Sequence, residues 1–315
     1  MHAHFVPPAA VEKACAEPAK YGLKVEAGRP AFEGGTAAPP LLNLVMDWAP
    51  RPNAKVDVQL IGNWMDTTGY TLPPDKGAAW SRLFNQELAA AAAQRPERFR
   101  TLASLPMQDG ARAAEELELA VKELGMKGAM IGTNIAGRNL DEPAFEPVWR
   151  KAVELGVPIV LHPYNTVPTE RLGSYYFSNL LGNPFDTLIA AASLIFGGVC
   201  DRFPELKIVL LHGGGHLPYQ AGRLNHGWKC RPESTLPQQP PLEYLRWFRY
   251  DTIVHWPNAL RYLLDTVGSD RVMLGSDDPF DMGDMEPQVI VAECGCAGHD
   301  AERVIGDNAA ELFRL

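Results

Sequence analysis

No apolar stretch in this 315-residue chain reaches the roughly 20 residues needed to cross a bilayer. The longest strongly apolar run, Leu188 to Cys200, reads instead as a buried helix. No basic segment followed by an apolar core stands at the start, so no signal peptide is expected. Cysteine is scarce: the five present are an odd number and mostly scattered, which gives no disulfide framework and suits a reduced, cytoplasmic protein. Cys294-Gly295-Cys296 has no second Cys or His pair beside it, as a structural metal site would need. Basic charge is also in deficit. With 29 Lys and Arg against 38 Asp and Glu the formal net charge is −9, which argues against a nucleic-acid or membrane partner. A small anionic substrate stays open, because a local basic group or a metal overrides the global sign.

What is present is the composition of a soluble globular protein, with 46% hydrophobic and 21% charged residues and hence material for a large core. By length alone the chain is about two domains, although α/β barrels commonly run to this size as one. Residues 5–55 are rich in proline, glycine and alanine, and Pro39-Pro40, Pro50 and Pro52 block any long helix. They are read as an irregular excursion over the top of the fold.

Beyond residue 55 the pattern becomes regular. Val56–Ile61, Thr101–Leu105, Gly128–Ile131, Pro158–His162, Lys207–His212, Tyr250–His255 and Arg271–Asp277 are strand-like. Helical stretches follow them, at about 77–93, 111–124, 142–155, 184–202, 217–228 and 258–267, with more after Asp277. Alternating apolar strands and helices imply a parallel sheet covered by helices. With His2–His4 as the first strand the count is eight, the number that closes a (β/α)8 TIM barrel, here a single unit over residues 1–315. A doubly wound open sheet is the runner-up.

In such a barrel the active site stands at the C-terminal ends of the strands. His162, His212 and Asp277 end their strands, and His2 and His4 occupy the matching place in the first. Residues two apart in a strand share a face, so both imidazoles of His2-Ala3-His4 would project together. Two histidines of one strand, a third from mid-barrel and a carboxylate from the last strand would make a mononuclear metal site with an open position for water or substrate. Trp64 and Met65 follow the second strand, and Tyr175-Tyr176-Phe177 lie in the long loop after His162. They suit either a flat, partly apolar substrate or plain packing over the barrel mouth. His255, at the end of the seventh strand, is a further candidate for substrate contact.

His-x-His at the start, His162-Pro163, His-Gly-Gly-Gly at 212–215, Gly222-Arg223 and Leu-Gly-Ser-Asp-x-Pro-Phe at 274–280 resemble the metal-dependent decarboxylase branch of the amidohydrolase superfamily. That branch includes aminocarboxymuconate semialdehyde, salicylate and resorcylate decarboxylases. The resemblance implies one divalent metal per subunit, zinc first and manganese second, held by His2, His4, His162 and Asp277. It implies a non-oxidative decarboxylase of an aromatic or conjugated unsaturated carboxylic acid, with His212 beside the metal and His212, Asp277 or both moving the proton. On the same resemblance Arg223 would cross a homodimer interface to the neighbouring subunit's substrate carboxylate; Trp64, Tyr176 and His255 are expected to contact the substrate from their places in the chain alone.

The match departs from its pattern in places. Only Met1 precedes His-x-His, so the first strand is expected to hold its two histidines weakly and the metal to be partly occupied. The stretch Met46-Asp47-Trp48-Ala49-Pro50 breaks the relatives' first helix, and with it the substrate-binding arginine. Asp278 stands where relatives carry tyrosine; it would raise the proton affinity of Asp277 or face solvent. These departures leave two alternatives, an amidohydrolase or lactonase of the same fold and a catalytically impaired metal- or ligand-binding relative.

Overall fold

A computed structural model describes residues 1–26, 29–33, 46, 55–164 and 170–315. Its strands are β1 (Ala3–His4), β2 (Leu23–Glu26), β3 (Arg29–Phe32), β4 (Gln59–Gly62), β5 (Phe99–Thr101), β6 (Ala129–Gly132), β7 (Ile159–His162), β8 (Ile208–Leu210), β9 (Arg249–Asp251) and β10 (Val272–Met273). Apart from the antiparallel hairpin β2–β3, all pair in parallel, in the orders β1-β4-β5 and β10-β9-β8-β7-β6. Single bridges join the two sheets, Ala103 to Ala129 on one side and Ala3 to Asp278 on the other. The eight parallel strands therefore close into the expected barrel.

The strands are apolar on both faces because both are covered. Leu60, Leu102, Met130, Val160, Val209 and Met273 meet in the barrel interior, which Leu312 and Phe313 of the C-terminal helix Asn308–Phe313 complete. The intervening residues Ile61, Ala129, Ile131, Ile159, Leu161, Ile208 and Leu210 join the larger core between sheet and helices. Helix boundaries follow local chemistry. Asp109 caps Gly110–Leu124 by accepting from the Ala111 and Arg112 amides, and Gly125 ends it in a left-handed conformation. Gly156 ends Glu146–Leu155 in the same way. The apolar run at 188–200 is helical, in Asn183–Phe196 and Val199–Arg202.

Of the stretch 5–55 expected to be irregular, the described residues 5–26 and 29–33 hold regular elements, while Pro39-Pro40, Pro50 and Pro52 lie outside the described residues. Pro8 opens a helix, Pro8–Ala16, at the position where a missing amide donor costs nothing, and Ala10 and Ala14 bury one face. The hairpin β2–β3 follows. The broken-helix reading of Met46-Asp47-Trp48-Ala49-Pro50 lies, apart from Met46, outside the described residues.

β1 has two residues, yet it is not frayed. The His2 carbonyl accepts from the Asp277 amide at 2.9 Å and from Ser276 Oγ at 3.0 Å. The His4 amide donates to the Asp278 carbonyl at 2.8 Å, and the Phe5 amide to that of Gly62 at 2.9 Å. Both histidines are fully buried. The weakly held pair expected from the short strand is not found, because the segments after β10 and along β4 supply its backbone partners.

Candidate metal centre

Four strand ends deliver one cluster. His2 and His4 come from β1, His162 is the last residue of β7, and Asp277 follows β10; one ligand atom from each lies within 4.8 Å of all the others. All four are buried. His2 (φ 68°), His212 (φ 55°) and Asp277 (φ 52°) occupy the left-handed region, which non-glycine residues adopt only where surrounding structure enforces it. Gly213, Gly214 and Gly215 also have positive φ. A Cβ there would stand 2.3 Å from Val254 Cγ1, 2.6 Å from the Tyr250 ring and 2.3 Å from the Pro184 carbonyl oxygen, respectively. The glycine run is thus a requirement of close packing that aims His212, rather than a flexible turn.

Each candidate ligand histidine has its Nδ1 committed to an oxygen. His2 Nδ1 donates to Asp251 Oδ2, His4 Nδ1 to the Asn63 carbonyl and His162 Nδ1 to the Pro163 carbonyl, all at 2.8 Å. In the neutral imidazole this leaves a lone pair on every Nε2. His2 Nε2 and His4 Nε2 then face Asp277 Oδ1 at 3.0 and 3.1 Å, and His2 Nε2 makes no hydrogen bond although it is buried. Three nitrogen lone pairs and a carboxylate converging without a shared donor fit a divalent cation, with Nδ1 bonds of the kind that orient metal-bound histidines.

The electrostatics run the same way. Burial pulls His2 down, but Asp277 and Asp251 outweigh it and raise His2 to about 9. Burial, then His4 and its other histidine neighbours, holds His162 well below its ordinary value. Burial would raise Asp277, but His2 leads the surrounding imidazoles in holding it well below the usual carboxylate range. The cluster therefore stabilises one positive charge among its four members, and a proton and a cation compete for it.

His212 stands beside this set, with Nε2 3.4 Å from Asp277 Oδ2 and the side chain partly open to a cavity of about 440 Å³. Trp64, Met65, Tyr176, Phe280 and Met282 form its apolar wall, and Asp66, Asn179 and Asn183 add polar groups. The rings of Trp64 and Phe280 lie 6.4 Å apart, and Phe280 also packs on His4. Among the described lining residues there is no lysine or arginine.

Of the residues expected at the site, His2, His4, His162, His212, Asp277, Trp64 and Tyr176 gather here. His255 does not. β9 ends at Asp251, the chain turns as the Val254 amide bonds the Thr252 carbonyl, and His255 is exposed and does not line the cavity. Arg223 is exposed on the helix Leu217–Cys230, also outside the cavity of its own chain. Asp278 is buried, and accepts from Gln59 Nε2 at 3.3 Å rather than facing solvent.

Asp251 was not legible as a site residue. Its Oδ2 holds His2, and its Oδ1 accepts from the Gly213 amide at 2.8 Å, so one fully buried carboxylate fixes both a cluster histidine and the loop carrying His212. Burial would raise it, but His2 outweighs this and lowers it. The one feature that marks it is its place as the last residue of β9.

The geometry agrees with known proteins. The amidohydrolase family model matches residues 1–315. The 2-amino-3-carboxymuconate-6-semialdehyde decarboxylase of Dictyostelium discoideum is 35% identical over 263 residues, 82% of this chain and 73% of that protein. The structure of 5-carboxyvanillate decarboxylase LigW from Sphingomonas paucimobilis superposes with a TM-score of 0.83 at 25% identity, covering 100% of this chain and 98% of that one. A dihydroxybenzoic acid decarboxylase from Polaromonas sp. JS666, with bound manganese and the inhibitor 2-nitroresorcinol, gives 0.81 at 23% identity over 99% and 95% of the two chains. The chain belongs to the amidohydrolase family.

Proposed function

We propose that the protein is a non-oxidative carboxy-lyase, a metal-dependent decarboxylase of an aromatic or conjugated unsaturated carboxylic acid. The observation that carries this reading is the buried His2, His4, His162 and Asp277 set opening onto a cavity walled by Trp64, Tyr176 and Phe280, with His212 at its edge. The similarity to decarboxylases supports the same reaction class. The four residues would hold one divalent ion, zinc or manganese; the manganese of the Polaromonas enzyme favours the latter. When bound, the ion supplies Lewis-acid charge for the substrate carboxylate and a neighbouring hydroxyl or amino group.

The protein's own residues do the rest. Trp64 and Phe280 hold the flat substrate and exclude water. Asp277 accepts from His212 Nε2 and so orients the imidazole. Because Nδ1 is buried, the proton delivered is the one on Nε2, which His212 gives up from its bond to Asp277 to the carbon bearing the carboxylate. The bond from that carbon to CO₂ breaks, its electron pair restores the conjugated system, and CO₂ leaves. His212 is assigned the proton because it faces the cavity, whereas Oδ1 of Asp277 is shared between two cluster histidines.

The cavity needs a cationic partner for the carboxylate beyond its described lining, and Arg223 of a second copy would provide one. On this reading the protein is a homodimer, and Arg223→Ala raises KM for the acid about tenfold or more, the effect of losing a hydrogen bond to a charged group. An unchanged KM or a monomer by light scattering would remove Arg223 from the site. The five cysteines, all free, favour a reduced cytoplasmic setting. Metal analysis followed by CO₂ release against a panel of hydroxy- and aminobenzoates tests the reaction. Metal with CO₂ is expected; metal with only ester, lactone or amide cleavage would make the protein a hydrolase.

A further inference from the structure

The N-terminal ends of the same strands carry a second cavity, of about 540 Å³, lined by Lys207, Arg246, Arg249 and Arg271 together with Trp247 and Glu205. Its cations are placed by register. Val209 points into the barrel, so Lys207, two residues before it, shares that face, and Arg271 closes the 3-10 turn that leads into β10. Arg249 is the cross-strand partner of Val209, and lies two residues before the inward-facing Asp251. Strands that carry His212, Asp251 and Asp277 at one mouth of the barrel thus carry lysine and arginine at the other.

These charges are poorly matched by their surroundings. Lys207 Nζ donates to the Gly156 carbonyl at 3.2 Å and Arg249 Nη1 to that of Trp247 at 3.1 Å. Among the described residues no carboxylate lies within ion-pair distance of either. Arg246 and Arg271 share a single acid, with Asp270 Oδ2 at 2.9 and 3.3 Å. Arg271 reaches that acid through its buried Nε, in a contact too poorly directed to be a hydrogen bond. Glu205 is exposed at the rim. Burial, then the neighbouring Arg271, lowers Arg249 to about 10, and burial followed by Arg314 and Arg249 lowers Lys207. In a chain of net charge −9, four cations around one concavity are a local reversal of sign that an anion would relieve.

We infer that this cavity is a binding site for a phosphate-class dianion, either inorganic phosphate or the phosphoryl end of a small phosphomonoester. Guanidinium forks and an ammonium converging on a concave, partly desolvated pocket match the donor geometry of a tetrahedral oxyanion. The concavity admits a small molecule, and its distance along the strands from the metal cluster makes it separate from the decarboxylation site.

The test is calorimetric titration of the metal-loaded protein with inorganic phosphate and, separately, with glycerol 3-phosphate. Saturable binding is expected, weakened about tenfold or more in Lys207→Gln and in Arg249→Gln, the effect of losing one charge-assisted hydrogen bond. Tighter binding of glycerol 3-phosphate would identify a phosphomonoester as the ligand, and equal binding the free ion. Both variants should keep their metal content and urea midpoint, Lys207→Gln with the smaller structural change because its side chain is the less buried of the two. No saturable binding, or wild-type affinity in folded variants, would overturn the proposal; the second result would place phosphate at the metal cluster instead.

Discussion

Two residues divide the work of the site in ways that mutation separates. His212 touches the cavity but is not one of the four clustered ligands, so His212→Ala should keep its metal while kcat falls about 10²- to 10⁴-fold, the usual worth of a positioned acid or base. A rate within a few-fold of wild type in the metal-loaded variant would take His212 out of the reaction. Asp251 never reaches the cavity and acts through His2 and Gly213. Asp251→Asn should lower metal affinity by about 10- to 100-fold, as loss of an orienting partner does elsewhere. Competition against a chelator reads this directly, and an unchanged affinity would reduce Asp251 to packing. The clustered residues were legible because each is a histidine or aspartate at a strand end, the place from which a barrel directs side chains into its mouth. Asp251 was not, because the strand was expected to run on to His255, which hid that Asp251 is its last residue. His255 falls outside the cavity lining because the sequence does not say where β9 stops; the strand ends four residues earlier, at Asp251.

At the scale of elements, the loop after β8 shows how backbone and chemistry are joined. His212, Gly213, Gly214 and Gly215 all adopt positive φ, and Gly214 sits where a Cβ would meet the Tyr250 ring at 2.6 Å. Gly214→Ala should therefore destabilise the fold by about 1–3 kcal/mol through strain, and displace His212 along with it. A urea midpoint equal to wild type would show that the loop accommodates a side chain. Helices were legible almost to the residue where caps are written in the chain, as with Asp109 and Gly125 around Gly110–Leu124. Strand lengths were less so. Thr101–Leu105 forms its ladder one turn of the pleat earlier, at Phe99–Thr101, with only a bridge at Ala103. The proline-rich start hides a helix, because proline is tolerated at the first helical position, which Pro8 occupies.

For the whole molecule, closure of the barrel is what turns scattered residues into a site. His2 and Asp277 are 275 positions apart in sequence, yet β1 lies against the segment after β10, and this contact puts their side chains 3.0 Å apart. The repeating strand and helix rhythm made the barrel legible. The strength of its weakest-looking strand was not, since β1 is held by the Ser276, Asp277, Asp278 and Gly62 backbone and side-chain groups rather than by its own length. Separation of the two mouths also follows from closure, with acids and imidazoles gathered at one end and cations at the other. Carbon–carbon bond cleavage at the first of these mouths is measured with a carboxyl-¹³C-labelled acid chosen from the benzoate panel, as ¹³CO₂ released per molecule of acid consumed by metal-loaded wild type and by His162→Ala. One ¹³CO₂ per acid in the wild type, with release lost in the variant, is the predicted result. Consumption of acid without ¹³CO₂, or equal release by the variant, would contradict it.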